Sequence, residues 1–403
     1  MTSVYAIATM DTKGAELEYV QKTLSQAGIS VVTVDVGTSA PPSVSPTFSR
    51  DQVWRALGTN VALSADRGTA IRQMSDALRL FLLKEFANGR VCGVIGLGGS
   101  GGTSLITAAM RALPIGLPKL MVSTVASGNV APYVDCCDIT MMYSVVDIAG
   151  LNAVSETVLS NAAHAMVGMA SQPNRTPTIR KAIGMTMFGV TTPCVTRVRA
   201  QLESEGYDCL VFHATGTGGR AMEQLVASGL IAGVLDITTT EVADEVVGGV
   251  FPSGPHRFEK ILAAKVPLVF SLGALDMVNF GALHTIPEQF RNRKLHIHND
   301  QVTLMRTSVE ENRRIAAFIA DKLNQSIAPM RLLIPERGLS LIDVPGQPFH
   351  DPEADAALFN ELQRRLRATP DRQLIRLPLD INAEQFSTAM VEHFNALVQD
   401  QIL

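Results

Sequence analysis

Short, unbroken aliphatic runs alternate along this chain with stretches of helical spacing, and that alternation limits the fold more than any other feature. Val31 to Val36 is β-branched apart from Asp35, and Val91 to Ile95 is apolar nearly throughout. Strands without polar alternation are buried on both faces, which requires parallel sheets covered by helices. Between them, Ala15 to Ala27 and Thr69 to Ala87 carry apolar residues near helical spacing and stop at Gly28 and Gly89. The opening run, Val4 to Thr9, reads as a strand that Asp11-Thr12-Lys13-Gly14 breaks. A helix at Ser104 to Leu113, a strand at Pro118 to Ser123 and an apolar helix at Ala149 to Ala170 complete a first half.

The order then starts again. Ile183 to Phe188 reads as a strand, Val195 to Glu205 as a helix and Leu210 to His213 as a strand, followed by a glycine loop. Further strands are expected at Ala232 to Asp236, Pro267 to Ser271, Leu332 to Ile334 and Leu374 to Leu379, with helices at Ser308 to Leu323 and Ala383 to Val398. Ser171 to Ile179, with two prolines among polar residues, reads as a linker. A length of 403 residues suits two or three domains at ~150 residues each. The expectation is an α/β protein of two Rossmann-like lobes, residues 1–175 and 176–403, with mainly parallel sheets covered by helices. The closing helix is free to pack back on the first lobe.

Composition removes several functions. A net charge of −4 argues against a basic nucleic-acid binder. No apolar run approaches the ~18 residues of a membrane helix, and no basic region precedes the first apolar stretch. Five cysteines form no C-x-x-C pair, as in the reduced thiols of a cytoplasmic protein. Charged residues make up 18%, below the ~25% of soluble domains, so less of the surface is charged and a homo-oligomer is expected.

In open α/β sheets, ligands bind beyond the carboxyl ends of the strands. The sharpest motif lies there: Gly96-Leu97-Gly98-Gly99-Ser100-Gly101-Gly102-Thr103, after a strand and opening a helix. Glycines let backbone N–H groups converge, and a helix N-terminus adds partial positive charge, which together suit a phosphate. The segment satisfies G-x-G-x-x-G, yet no acid follows at ~20 residues to hold a ribose, which counts against an NAD enzyme. It approximates the P-loop, with Gly102 where lysine belongs. A formal G-x-S-x-G would make Ser100 a nucleophile, but no partner His or acid can be assigned. Lys13, in the loop after the first strand, can supply the missing charge if the first and third strands are neighbours.

Other loops add candidates. Ser127, Gly128 and Asn129, after the next strand, suit ribose or phosphate, or else a simple Asx turn. Thr215-Gly216-Thr217-Gly218-Gly219-Arg220 echoes the first loop and ends in a guanidinium suited to phosphate or carboxylate. Thr238 and Glu241 have the spacing of a capping box, or form part of a polar cluster that holds substrate or a divalent ion. Asp276 follows a buried strand. His296-x-His298 on a strand puts both rings on one face, where a metal or hydrogen bonds could hold them; no standard metal-site spacing accompanies them, so no metal ligand is assigned.

Ala8 to Gly14, Gly96 to Thr103, Ser123 to Asn129, Asp236 to Asp244, Gly273 to Phe280, His298-Asn299 and Pro335 to Ser340 together resemble the Tm-one-like ATP-binding family. That family comprises uncharacterised bacterial and fungal proteins and the N-terminal domain of a plant tobamovirus-resistance protein. The resemblance runs from Ala8 to about Leu362. It implies two Rossmann-like subdomains, dimerisation and ATP binding, and a bacterial role beside a separate barrel-fold partner.

The resulting expectation is an ATP-binding protein of small-molecule metabolism. ATP phosphates would lie on Gly98, Gly99, Ser100, Gly101, Gly102 and Thr103 with Lys13 as counter-charge and Mg²⁺ as companion. A small organic acid would be acted on or sensed in a cleft between the lobes. Asp11, Lys13, Glu241, Asp276 and His298 are the catalytic candidates. The alternative is a non-catalytic, nucleotide-dependent dimeric module for a partner protein, which the absent P-loop lysine favours.

Overall fold

A computed structural model of the chain describes residues 2–58, 64, 66–171 and 180–400. The chain divides into two compact units, Met1–Thr176 and Pro177–Leu403. The proposed linker falls at 171–179, of which 172–179 lie outside the described residues.

The first unit runs β1 (Ser3–Ala8), α1 (Met10–Gln26), β2 (Val31–Asp35), α2 (Arg50–Trp54), α3 (Arg67–Ala87), β3 (Val91–Gly98), α4 (Ser100–Met110), β4 (Lys119–Ser123), α5 (Ala131–Val134), β5 (Thr140–Tyr143) and α6 (Ala153–Ala170). Its strands form one sheet in the order β2-β1-β3-β4-β5, every pair parallel. Side chains fill both faces. Ile7, Val94 and Met121 pack under α3 and α4, and Ala6, Ile95 and Val122 under α1 and α6.

The second unit runs β6 (Ala182–Met187), α7 (Thr192–Ser204), β7 (Asp208–His213), α8 (Thr217–Ala227), β8 (Gly233–Thr238), α9 (Thr240–Val247), α10 (Glu259–Ala264) and β9 (Leu268–Gly273). Three further strands follow: β10 (Met277–Phe280), β11 (Leu295–Asn299) and β12 (Val302–Arg306). The unit ends with α11 (Val309–Leu323), β13 (Met330–Pro335), α12 (Pro352–Arg365), β14 (Arg372–Leu377) and α13 (Glu384–Asp400). The main sheet, β14-β13-β9-β8-β6-β7, is again all parallel. Read from its other edge, it starts in the same order as the first sheet: second strand, first, third, fourth. The two units are therefore α/β doubly wound folds of matching topology, as the repeated spacing implies.

Several expectations need correction. The first strand does end before Asp11, but Asp11 to Gly14 form no loop; α1 begins at Met10, and only Lys13 leaves helical geometry, at φ −131° and ψ 25°. The reason is tertiary. Asp35 Oδ1 accepts the Met10 N–H at 3.0 Å, giving a helix-start donor a partner that local sequence does not supply. The antiparallel sheet β10-β12-β11 was not expected, since its strands are short and sit among loop-like residues. The closing helix α13 fills its apolar face within its own unit: Phe386, Met390 and Phe394 pack with Val195, Leu235 and Val269. Among the described residues, no helix is long and apolar enough to cross a membrane.

Candidate functional site

In the first sheet β1 lies between β2 and β3, with Ala8 opposite Asp35 on one side and Leu97 on the other. The chain winds away in opposite directions from this point, which opens a crevice at the carboxyl ends of the strands. A cavity of about 300 Å³ occupies it, at the small end of ligand pockets (~300–1,000 Å³). Thr9, Asp11, Thr12 and Lys13 line it from the start of α1, and Thr38 and Ser39 from the loop after β2. Arg67 and Ile71 approach from α3, and Gly99, Ser100, Gly101, Gly102 and Leu105 from the start of α4.

The glycine run serves two purposes. Gly96 and Gly98 are packing residues: an added Cβ would meet Met121 Sδ at 2.7 Å in the first case and the Thr103 backbone nitrogen at 2.7 Å in the second. Gly99 and Gly102 have no such neighbour. Their nearest atoms to an added Cβ are Thr124 Oγ1 at 3.8 Å and the Leu97 carbonyl oxygen at 3.7 Å. Gly101 meets only the tip of Ile71, at 3.3 Å. None of these three has a positive φ. Glycine inside a helix costs about 0.5–1 kcal/mol relative to alanine. No packing contact calls for glycine at Gly102, the third residue of α4, and no side chain caps the helix start.

The charged groups around this wall are unevenly used. Lys13 Nζ donates to the Ile148 carbonyl at 2.5 Å, while Arg67 makes no hydrogen bond or ion pair among the described residues. Arg67 stands at the first position of α3, where the helix dipole disfavours a cation. Thr103, the counterpart of the P-loop hydroxyl, is fully buried and turned inward. Its Oγ1 lies 2.7 Å from Ser123 Oγ and donates to the Gly98 carbonyl at 3.3 Å.

The remaining predicted residues lie elsewhere. Ser127, Gly128 and Asn129 are exposed and absent from the cavity wall. Asn129 Oδ1 accepts the Ala131 N–H at 3.1 Å, which is the Asx turn. In the second unit, the glycine loop is closed by the protein itself. Gly216 N–H donates to Glu241 Oε2 at 2.7 Å, and a side chain at Gly219 would overlap Glu241 Oε1. A side chain at Gly218 would overlap the His213 carbonyl. Thr215 Oγ1 turns back to that same carbonyl, and Thr217 and Arg220 are the first and fourth residues of α8. Thr238 and Glu241 form no capping box. Thr238 ends β8 and hydrogen-bonds Thr191 at 2.7 Å, the cap position falls to Thr239, and Glu241 turns to Arg257.

Arg257 is fully buried between Glu223, Asp236 and Glu241, at 2.8–2.9 Å from each. Burial drives the Asp236 carboxyl up to about 6, against the pull of Arg257. A second buried arginine, Arg306, meets Asp355 at 2.6 Å and Asp343 at 3.3 Å, and its Nη1 donates to the Asp276 carbonyl at 3.3 Å. Asp276 accepts from Ser340 Oγ at 2.8 Å, and burial pushes it up to about 7. Both clusters are closed to solvent and hold elements together. His298 is exposed on β11, and His296 lies beside Phe349. No group of three or more His, Cys, Asp or Glu among the described residues is arranged to hold a metal.

Sequence reading missed Arg67, Thr38, Ser39 and Ile71 in the wall, and both buried arginines. Only Arg67 carried a signal, a cation at a helix start beside Asp66.

The chain matches the Uncharacterised protein family (UPF0261) N-terminal domain over residues 2–175 and the C-terminal domain over 180–398. It belongs to the UPF0261 family. A UPF0261 protein of Rhizobium meliloti is 53% identical over 97% of this chain and 98% of its own length. The ToMV resistance protein Tm-1 of tomato, Solanum lycopersicum, is 49% identical over 97% of this chain, which covers 55% of the tomato protein. Likeness to solved structures is slight. A thioesterase domain from the curacin biosynthetic pathway reaches a TM-score of 0.27 at 10% identity, over 56% of this chain and 92% of that one.

Proposed function

We propose that the first unit binds a nucleotide by its phosphate groups in the crevice between β1 and β3, and that the nucleotide is ATP. The single observation that carries this reading is Gly102. It faces the cavity, costs helix stability, and has neither a packing neighbour nor a backbone angle that calls for glycine. A phosphate approaching the backbone N–H groups at the start of α4 supplies the missing reason. Arg67 then provides the fixed, forked cation that the P-loop pattern lacks here.

Within that reading, a binding module is favoured over a phosphoryl-transfer enzyme. The Thr103 hydroxyl, the counterpart of the group that P-loop enzymes aim at the metal, is buried and engaged with Ser123, and the Lys13 ammonium gives one of its three N–H groups to Ile148. Glu241 is likewise engaged within a closed ion cluster and Asp276 beside another, and neither is assigned a catalytic role. Coupling of ATP to a small organic acid remains the enzymatic version.

A thermal-shift titration with ATP, ADP, NADH and inorganic phosphate tests the reading. ATP at 100 times its dissociation constant is expected to add about 2.7 kcal/mol and raise the melting temperature. Absence of a shift with every nucleotide would contradict it.

A further inference from the structure

Lys13 belongs to two structures at once. It lines the cavity, and its Nζ donates to the Ile148 carbonyl at 2.5 Å. An ammonium has three N–H groups and this contact uses one; no second acceptor holds it among the described residues. Ile148 lies in the segment 144–150, which follows β5 and contributes no residue to the cavity wall.

That segment is tied down at several points. Further along α1, the buried Glu16 accepts the Gly150 N–H on Oε1 at 2.6 Å. The helix therefore grips the segment twice, by a cation on a carbonyl and by a carboxylate on an amide. The Ile148 side chain is buried in the core with Leu17, Leu97 and Leu159, and Ser155 Oγ donates to the Gly150 carbonyl at 3.3 Å. At its start the backbone bends into a γ-turn. The Val146 N–H donates to the Ser144 carbonyl at 2.7 Å across Val145, whose φ is 65°. This is the rare, strained hand of that turn, and a β-branched residue there is an outlier. Lys13 leaves helical geometry at the other end of the contact. Strain of this kind persists only where the surroundings over-determine it. Its result here is a carbonyl set against the ammonium that lines the cavity.

We infer that residues 144–150 set the phosphate affinity of the first unit from outside the cavity, by holding the Lys13 ammonium in place to meet the ligand. The inference rests on the nucleotide reading above and adds the element that positions a second cation beside Arg67. The helices α1 and α3 cover opposite faces of the sheet, so Lys13 and Arg67 approach its carboxyl edge from two sides. A lysine side chain that must be ordered by its ligand loses rotamer freedom on binding. Here the Ile148 carbonyl has removed that freedom in the folded protein, which is preorganisation. Glu16 is a positioning residue: it fixes Gly150, and through the segment the Ile148 carbonyl, without lining the cavity.

The test is calorimetric titration of ATP with Mg²⁺ into wild type, Lys13→Met, Glu16→Met and the double variant. Methionine is similar to both side chains in length and carries no charge. Lys13→Met is expected to weaken binding by about 10- to 100-fold, the worth of a charge-assisted contact. Glu16→Met is expected to weaken it by at least about threefold, and by nothing further once Lys13 is replaced. A purely structural role for Glu16 would lower the melting temperature and leave ATP affinity unmoved. Wild-type affinity in either single variant, or an equal loss from Glu16→Met with and without Lys13, overturns the inference and leaves the nucleotide reading standing. No ATP binding by the wild type overturns both. Should Glu16→Met fail to fold, wild-type protein labelled with ¹³C at the isoleucine carbonyls decides alone. Bound ATP should shift the Ile148 carbonyl resonance, and an unmoved Ile148 carbonyl with ATP bound overturns the inference.

Discussion

Glu241 holds its carboxylate where the second glycine loop would otherwise receive an anion, with Oε2 accepting the Gly216 N–H at 2.7 Å. Through Oε1 the same side chain meets Arg257 at 2.8 Å. Two units of matching topology thus differ at their glycine loops. One loop is filled by the protein's own acid, and the other, at the start of α4, borders a cavity.

Replacing Glu241 should therefore act on stability and not on nucleotide binding. Glu241→Gln removes one of three charges around the buried Arg257 and is expected to destabilise by about 3 kcal/mol. At ~2–4 °C per kcal/mol for a unit of this size, its melting transition falls by about 6–12 °C. Calorimetry measures the fall, and ATP affinity should stay at the wild-type value.

Arg67→Ala should do the opposite. The side chain is exposed and has no partner among the described residues, so folding stability should change by less than about 0.5 kcal/mol. Loss of a charge-assisted contact to phosphate should weaken ATP binding by about 10- to 100-fold. Titration calorimetry separates the two effects.

The second unit should lose stability as pH rises. Burial lifts Asp236 to about 6, Asp244 and Asp276 to about 7, and Asp343 to about 9. Each folded value exceeds the unfolded value near 3.9, so the folded state binds more protons and ∂ΔG/∂pH is negative. The contribution is complete below about pH 4 and is lost as pH climbs through 6 to 9. Denaturant melts at pH 6, 7, 8 and 9 should show a falling midpoint, and Asp343→Asn should flatten the part between 7 and 9.

Much of this was legible in sequence. Unbroken strands such as Val91 to Ile95 declared a parallel sheet, and Gly96 to Thr103 marked the end of a strand as a ligand edge. Local patterns failed where distant residues decide. Thr238 and Glu241 have capping-box spacing, but a buried guanidinium sixteen positions beyond Glu241 takes the carboxylate. Arg67 reaches the cavity only because β3 inserts beside β1 and brings α3 alongside α4. Lys13 comes to the right edge of the sheet and lines the cavity, yet one of its N–H groups goes to a carbonyl from the loop after β5, a contact that no local pattern signals.

Gly102→Ala separates packing from binding at the residue on which the reading rests. An added methyl has room, and alanine favours the helix, so the variant should be as stable as wild type or more stable by up to about 1 kcal/mol. Its melting temperature should no longer respond to ATP. A thermal-shift series on both proteins gives both numbers.

The most direct measurement records the amide resonances of protein labelled with ¹⁵N-glycine while ATP and Mg²⁺ are added. Those N–H groups are the ones assigned to the phosphates. Saturable shifts at Gly99, Gly101 and Gly102, with Gly216, Gly218 and Gly219 unmoved, are the predicted result. Shifts confined to the second loop, or none at the first while ATP binds, would contradict the account.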